Sequence, residues 1–322
     1  MLLNRNDVNP NATNQHGQTP LCVAARKGHE GVMKTLLERV DVNPNTPNED
    51  GQLLLEIATC AGHDGVVKML LNRNDVSPNT TNQDGQTPLC LAASHGYEGV
   101  VKTLLERVDI NPNTANQFGR SPLHIAAYKG HDGVVKMLLN RNDVNPNTAD
   151  KYGQAPLFIA ACGGHEGVVK MLLDRSDVNP NTVNERGQTP LFVAACRGHE
   201  RAVKALLDRA DVNSDIPDLF GETALSHALE HGHDAIVKLL SEHRDSIPWL
   251  KGDGFEALSS PELSDPDQRP HNPPIALMSK VTSNYPLVSS RFFIRSFHVL
   301  VICLLLYWFL YFLHLSLSFY FP

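Results

Sequence analysis

The chain has 322 residues, 42% of them hydrophobic, and 28 basic against 35 acidic side chains give a formal net charge of -7. That balance argues against a nucleic-acid partner, which would call for a concentrated basic surface. Six cysteines lie scattered without a C-x-x-C pair, so a small disulfide framework is excluded and reduced thiols in the cytoplasm or nucleus are expected.

The opening residues Met1-Leu2-Leu3-Asn4-Arg5-Asn6-Asp7-Val8 form no long apolar run, so they are no secretory signal. They repeat at Met69-Leu70-Leu71-Asn72-Arg73-Asn74-Asp75-Val76 and again from Met137. The sequence therefore starts inside the second helix of a repeating unit, with 1–8 a partial copy. Arrays of repeats end in polar caps, and none is written here. Either further units precede Met1 in a longer protein, or the array tolerates a frayed half-unit.

A glycine then recurs every 34 residues, at Gly17, Gly51, Gly85, Gly119, Gly153, Gly187 and Gly221. A second ladder with the same step runs from Gly28-His29 to Gly232-His233, with Tyr97 in place of histidine once. Fixed periods of this length mark stacked repeat architectures. Seven copies fit between about residue 9 and residue 243.

Residues 82–110 show what one copy builds. Asp84-Gly85 is a turn signal, since glycine accepts positive φ. Pro88 suits the first position of a helix, and Thr87 before it is held extended and can cap that helix. Leu89, Ala92 and Ala93 give a narrow apolar face that lets a neighbour approach, and Gly96 stops the helix. A second helix starts near Glu98 and carries Val100, Val101, Leu104 and Leu105 on one stripe. Helices of about nine residues do not persist alone. Stacked copies bury one continuous core, so the array is the folding unit.

The G-Q-T-P-L runs (Gly17–Leu21, Gly85–Leu89, Gly187–Leu191), the A-A-x-x-G-H segments and the V-x-x-L-L runs resemble the ankyrin repeat family over about residues 1–243. The resemblance implies an all-α solenoid of helix–turn–helix units with β-hairpin-like loops. It also implies partner recognition by the loop tips and first-helix ends on a concave face. Two departures stand out. The family's G-A after L-L is replaced by R-x-D-V-N-P-N, as in Arg141-Asn142-Asp143-Val144-Asn145-Pro146-Asn147, which predicts a longer loop on the same stack. Repeat two has Leu53-Leu54 for Thr-Pro and so loses its cap, a cost of about 1 kcal/mol.

The seventh unit reads as a terminal cap, its outer positions turning polar at Ser226, His227, Glu230, His231, Ser241, Glu242 and His243. Residues 244–290 are rich in proline, serine and aspartate and predict a disordered linker. Segment 291–322 is apolar and uncharged from Ser296 onward. Its 297–317 stretch approaches the roughly 20 residues that span a bilayer. Arg291 and Arg295 precede it, which would leave the repeats on the cytoplasmic side of a C-terminal tail anchor. Translation past a true stop would yield the same kind of tail.

Other constellations read as structural. The histidines after each Gly follow the repeat period, and His124 occupies the T-P-L-H position; both are implied by the resemblance to be packing residues. Cys60, Cys162 and Cys196 share one repeat position. Packed helices about 10 Å apart are too distant for disulfides between them. The ladders Arg5 to Arg209 and Asp7 to Asp211 interleave opposite charges, read as a solvated face with turn-capping aspartates. No phosphate-loop, nucleophile-elbow or H-E-x-x-H motif occurs. No catalytic residue, cofactor or metal site is expected.

What the repeat does not dictate is left for recognition. Aromatic and arginine side chains, the usual hot-spot types, gather in repeats four and five as Phe118, Arg120, Tyr128, Lys129, Tyr152 and Phe158. The expectation is a monomeric, non-enzymatic scaffold that binds a protein partner there, in the cytoplasm and tethered to a membrane by its C-terminus. The alternative is the recognition part of a larger signalling or enzymatic protein whose N-terminal domain lies upstream.

Overall fold

The computed structural model describes residues 9–246, with side chains described to 244. The partial repeat 1–8, most of the expected linker and the apolar segment 291–322 lie outside the described residues. Among the described residues no helix is long and apolar enough to cross a membrane.

Within that range fourteen helices form seven pairs. They are α1 (Pro20–Lys27) with α2 (Glu30–Leu37), α3 (Leu54–Ala61) with α4 (Asp64–Leu71), and α5 (Pro88–His95) with α6 (Glu98–Leu105). Next come α7 (Pro122–Lys129) with α8 (Asp132–Leu139), α9 (Pro156–Gly163) with α10 (Glu166–Leu173), and α11 (Pro190–Cys196) with α12 (Glu200–Leu207). The last pair is α13 (Ala224–Glu230) with α14 (Asp234–Ser246). First helices pack on first helices of the adjoining pairs, and second helices on second helices. The result is two layers with one core between them. No strand occurs among the described residues, so the tips are tight turns rather than β-ribbons.

Local chemistry sets each helix. Thr87 is extended (φ -79°, ψ 163°) and its Oγ1 accepts from the Cys90 amide at 3.2 Å. Thr19, Ser121, Thr189 and Thr223 cap their helices in the same way. Leu53 makes no side-chain cap, as its sequence predicts. Ala155 is a second uncapped start, although a proline follows it. At the other end Gly130 ends α7 at φ 70°. A Cβ there would lie 2.5 Å from Nδ1 of His165 in the following repeat, so both backbone and packing require glycine.

The paired alanines let first helices nest: Ala25, Ala93, Ala127, Ala161 and Ala195 are all fully buried. Repeat two has Thr59 in this register, also fully buried, and its hydroxyl has no hydrogen-bond partner. That defect adds to the missing cap.

The long loops join repeats more firmly than a solvated charge ladder would. Arg141 grips Asp143 through Nε (2.8 Å) and Nη2 (2.7 Å), and its Nη1 donates to the Leu105 carbonyl of the preceding repeat at 2.9 Å. Arg73, Arg175 and Arg209 reach back to Leu37, Leu139 and Leu173 likewise. The ladder aspartates therefore hold arginines in place, where turn capping was expected. The guanidinium beside Asp143 holds its carboxyl below the usual range. Beside this, Asn113 Nδ2 donates to the Asp143 carbonyl at 2.6 Å and its Oδ1 accepts from the Asn145 amide at 3.0 Å. The D-V-N-P-N loop is thus an asparagine ladder: Asn79, Asn113, Asn147 and Asn181 each satisfy two backbone groups of the next repeat, and Asn11 and Asn45 satisfy one.

Candidate functional site

Each tip is folded by its own Asx turn. In repeat five Asp150 accepts from the Tyr152 amide (2.9 Å) and the Gln154 amide (3.0 Å) through Oδ1. Its other oxygen takes Nε of Arg120, from the preceding tip, at 3.1 Å. The Asp150 side chain is fully buried while Arg120 is about a third exposed. One carboxylate therefore shapes the fifth tip and fastens the fourth to it. The backbone does the same, with the Lys151 amide donating to the Phe118 carbonyl at 3.0 Å and the Glu185 amide to that of Tyr152 at 3.2 Å.

On this frame Phe118, Tyr128 and Tyr152 stand 44%, 53% and 49% exposed. Lys129 is exposed too, and its Nζ lies 5.6 Å from the Tyr128 ring centroid. The Arg120 guanidinium lies 6.0 Å from the same centroid. Two cations around one exposed ring make it an electrostatically marked spot, each contact worth about 0.5–1 kcal/mol at such exposure. Arg120, Tyr128 and Lys129 are brought together, and Phe118 and Tyr152 stand on adjoining tips.

Phe158 does not belong with them. It is 3% exposed and packs in the core. The register explains this: 34 residues away in either direction lie His124 and Phe192, both buried, and 68 before it lies Cys90. An aromatic at that position fills the stack. The seventh tip also carries exposed apolar side chains, with Leu219 and Phe220 73% and 78% exposed.

The histidines play the structural parts expected. Nε2 of His63, His131, His165, His199 and His233 meets a first-helix carbonyl of the preceding repeat at 3.0–3.2 Å. His124 is fully buried, its Nδ1 beside the Ser121 hydroxyl (2.9 Å) and its Nε2 donating to the Gln154 carbonyl (3.1 Å). Burial pushes its pKa down, keeping the ring neutral. Burial likewise raises the thiols of Cys60, Cys90 and Cys162, which makes them poor nucleophiles.

A family model described as ankyrin repeats (3 copies) matches residues 1–82, 42–116, 65–150, 108–182 and 157–251. A comparison with curated proteins finds no match. Among solved structures, the ankyrin repeat domain of Bcl-3, a member of the IkappaB protein family, is similar with a TM-score of 0.62 at 24% identity. That match covers 70% of this chain and 100% of the other. The ankyrin repeat protein EF0377 gives a TM-score of 0.55 at 26% identity, covering 58% of this chain and 96% of its own.

Proposed function

This chain belongs to the ankyrin repeat family, whose members are generally protein-interaction modules, and from that premise we propose that it is a non-enzymatic scaffold. It captures a protein segment along the tips and first-helix ends of repeats four and five. Phe118, Tyr128 and Tyr152 are the anchors, and Arg120 and Lys129 supply the charge. The observation that carries this is the exposure of three aromatic rings on a frame that Asp150 and the inter-tip backbone bonds hold still. Rigid aromatic anchors bind at low entropic cost. Cations beside them suit a partner segment that is apolar and acidic.

The test is a quantitative pull-down with wild type and with Phe118→Ala, Tyr128→Ala and Tyr152→Ala. Each exposed variant is expected to fold like wild type and to lose the partner by tenfold or more. Phe158→Ala serves as the contrast, expected to cost about 3–5 kcal/mol of stability as a buried truncation. Retention of all partners by the three exposed variants rejects the surface.

A further inference from the structure

The end of the array carries a side-chain cluster that the repeat does not dictate. His227, in α13, stands where the other six copies have Val23, Ile57, Leu91, Ile125, Ile159 and Val193. Four residues on, at the C-terminal boundary of the same short helix, is His231, and this spacing puts both rings on one face. Cys196, the last residue of α11, faces them from the neighbouring repeat. One donor atom from each of the three lies within 4.8 Å of the others.

The surroundings hold the cluster in a ready state. The His227 ring sits edge-on to Phe192 at 4.8 Å and stacks on His231 at 5.6 Å. Its Nδ1 is buried and makes no hydrogen bond, the Glu230 carboxylate standing 3.9 Å away, although a buried polar atom normally finds a closer partner. His231 uses Nδ1 on the His227 carbonyl at 2.9 Å, which leaves Nε2 free. His233 stacks on His231 at 6.1 Å and donates from Nε2 to the Cys196 carbonyl at 3.2 Å, fixing the backbone that carries the thiol.

We propose that Cys196, His227 and His231 form a zinc site that clasps repeat seven to repeat six. One thiolate and two imidazoles are a borderline-soft donor set suited to Zn²⁺, and the absence of oxygen donors from the trio disfavours magnesium and calcium. Tetrahedral ligands at about 2.0–2.3 Å from zinc stand about 3.5 Å from one another. The three donors therefore close by about 1 Å on binding, within reach of side-chain rotation. The Cys196 S–H bond breaks, an S–Zn bond forms, and the proton leaves to solvent. Both histidines bind as neutral rings. His231 lies at the exposed rim, so the fourth position holds water.

The experiment uses the full chain, stripped with a chelator and titrated with Co²⁺, then Zn²⁺, with Mg²⁺ as comparison. One equivalent of cobalt is expected to give a thiolate-to-cobalt charge-transfer band in the near ultraviolet, which zinc abolishes by displacement. Zinc is expected to raise the melting temperature by several degrees, and magnesium to leave it unmoved. Cys196→Ser should remove the band, and His231→Ala, at an exposed position, should weaken zinc binding at least tenfold without unfolding the chain. Cys162→Ser, the same register position one repeat earlier, should bind as wild type. A band that survives Cys196→Ser, or unchanged zinc affinity in His231→Ala, overturns the proposal.

Discussion

Repeat two holds a removable fault in the array, and Thr59→Ala tests it. The Thr59 hydroxyl is fully buried without a partner, which costs about 1–3 kcal/mol. Replacement by alanine also improves helix propensity by up to about 0.7 kcal/mol. Against this stands one lost methyl group, worth about 0.8 kcal/mol. The methyl term is the smaller one, because five other copies pack alanine in this register without exposure. The net expectation is a gain of about 1–3 kcal/mol. For an array of this size each kcal/mol moves the melting temperature by about 2–4 °C. Thr59→Val separates the causes: it keeps the volume and exchanges only the hydroxyl for a methyl, so it should stabilise at least as much. The assay is thermal and urea unfolding followed by far-ultraviolet circular dichroism. If both variants melt at or below wild type, the hydroxyl is not the fault and the reasoning fails.

Ala155→Ser should supply the missing acceptor for the Phe158 amide at the start of α9 and stabilise by about 0.5–2 kcal/mol, read as a higher urea midpoint; an unmoved midpoint contradicts the capping account. His124 gives a pH signature. Its folded pKa lies below its ordinary value of about 6.5, so below that pH the unfolded chain binds a proton that the fold refuses. Stability should fall as pH drops from 7 toward 5. In His124→Phe, which copies the buried ring found in this register at Phe158 and Phe192, that slope should be shallower, and an identical slope would place the titration elsewhere.

The helical pairs were legible because each is written in short-range chemistry: a hydroxyl before proline, paired alanines, a glycine stop. Repeating them in phase made the stack legible as well. Hidden from the sequence were contacts between positions 30 to 37 residues apart. Arg141 and Asp143 look like a local ion pair. Only the stack shows the third nitrogen on the Leu105 carbonyl and the asparagine ladder beside it. Phe158 was misplaced for a related reason. Residue type suggested recognition, whereas register, shared with His124 and Phe192, decides burial. The Cys196–His227–His231 cluster was masked by the periodic histidines around it, though His227 breaks an otherwise aliphatic column.

The division between fixed and free positions bears on how so few side chains would serve the recognition proposed above. The loops that lead from one repeat into the next repeat their bonds at step after step: arginine to carbonyl, asparagine to backbone groups of the following repeat. Successive repeats are thereby held at one spacing. The tips inherit that spacing and reinforce it, since the Lys151 amide meets the Phe118 carbonyl and Asp150 holds Arg120. A tip residue such as Phe118 or Tyr152 can therefore change without disturbing the stack, because its backbone already satisfies the geometry. A partner meeting these rings would order little more than their two side-chain torsions, a small entropic loss against the area they would bury. On the function proposed above, specificity would reside in which rings and cations occupy successive tips, and stability in the packing behind them.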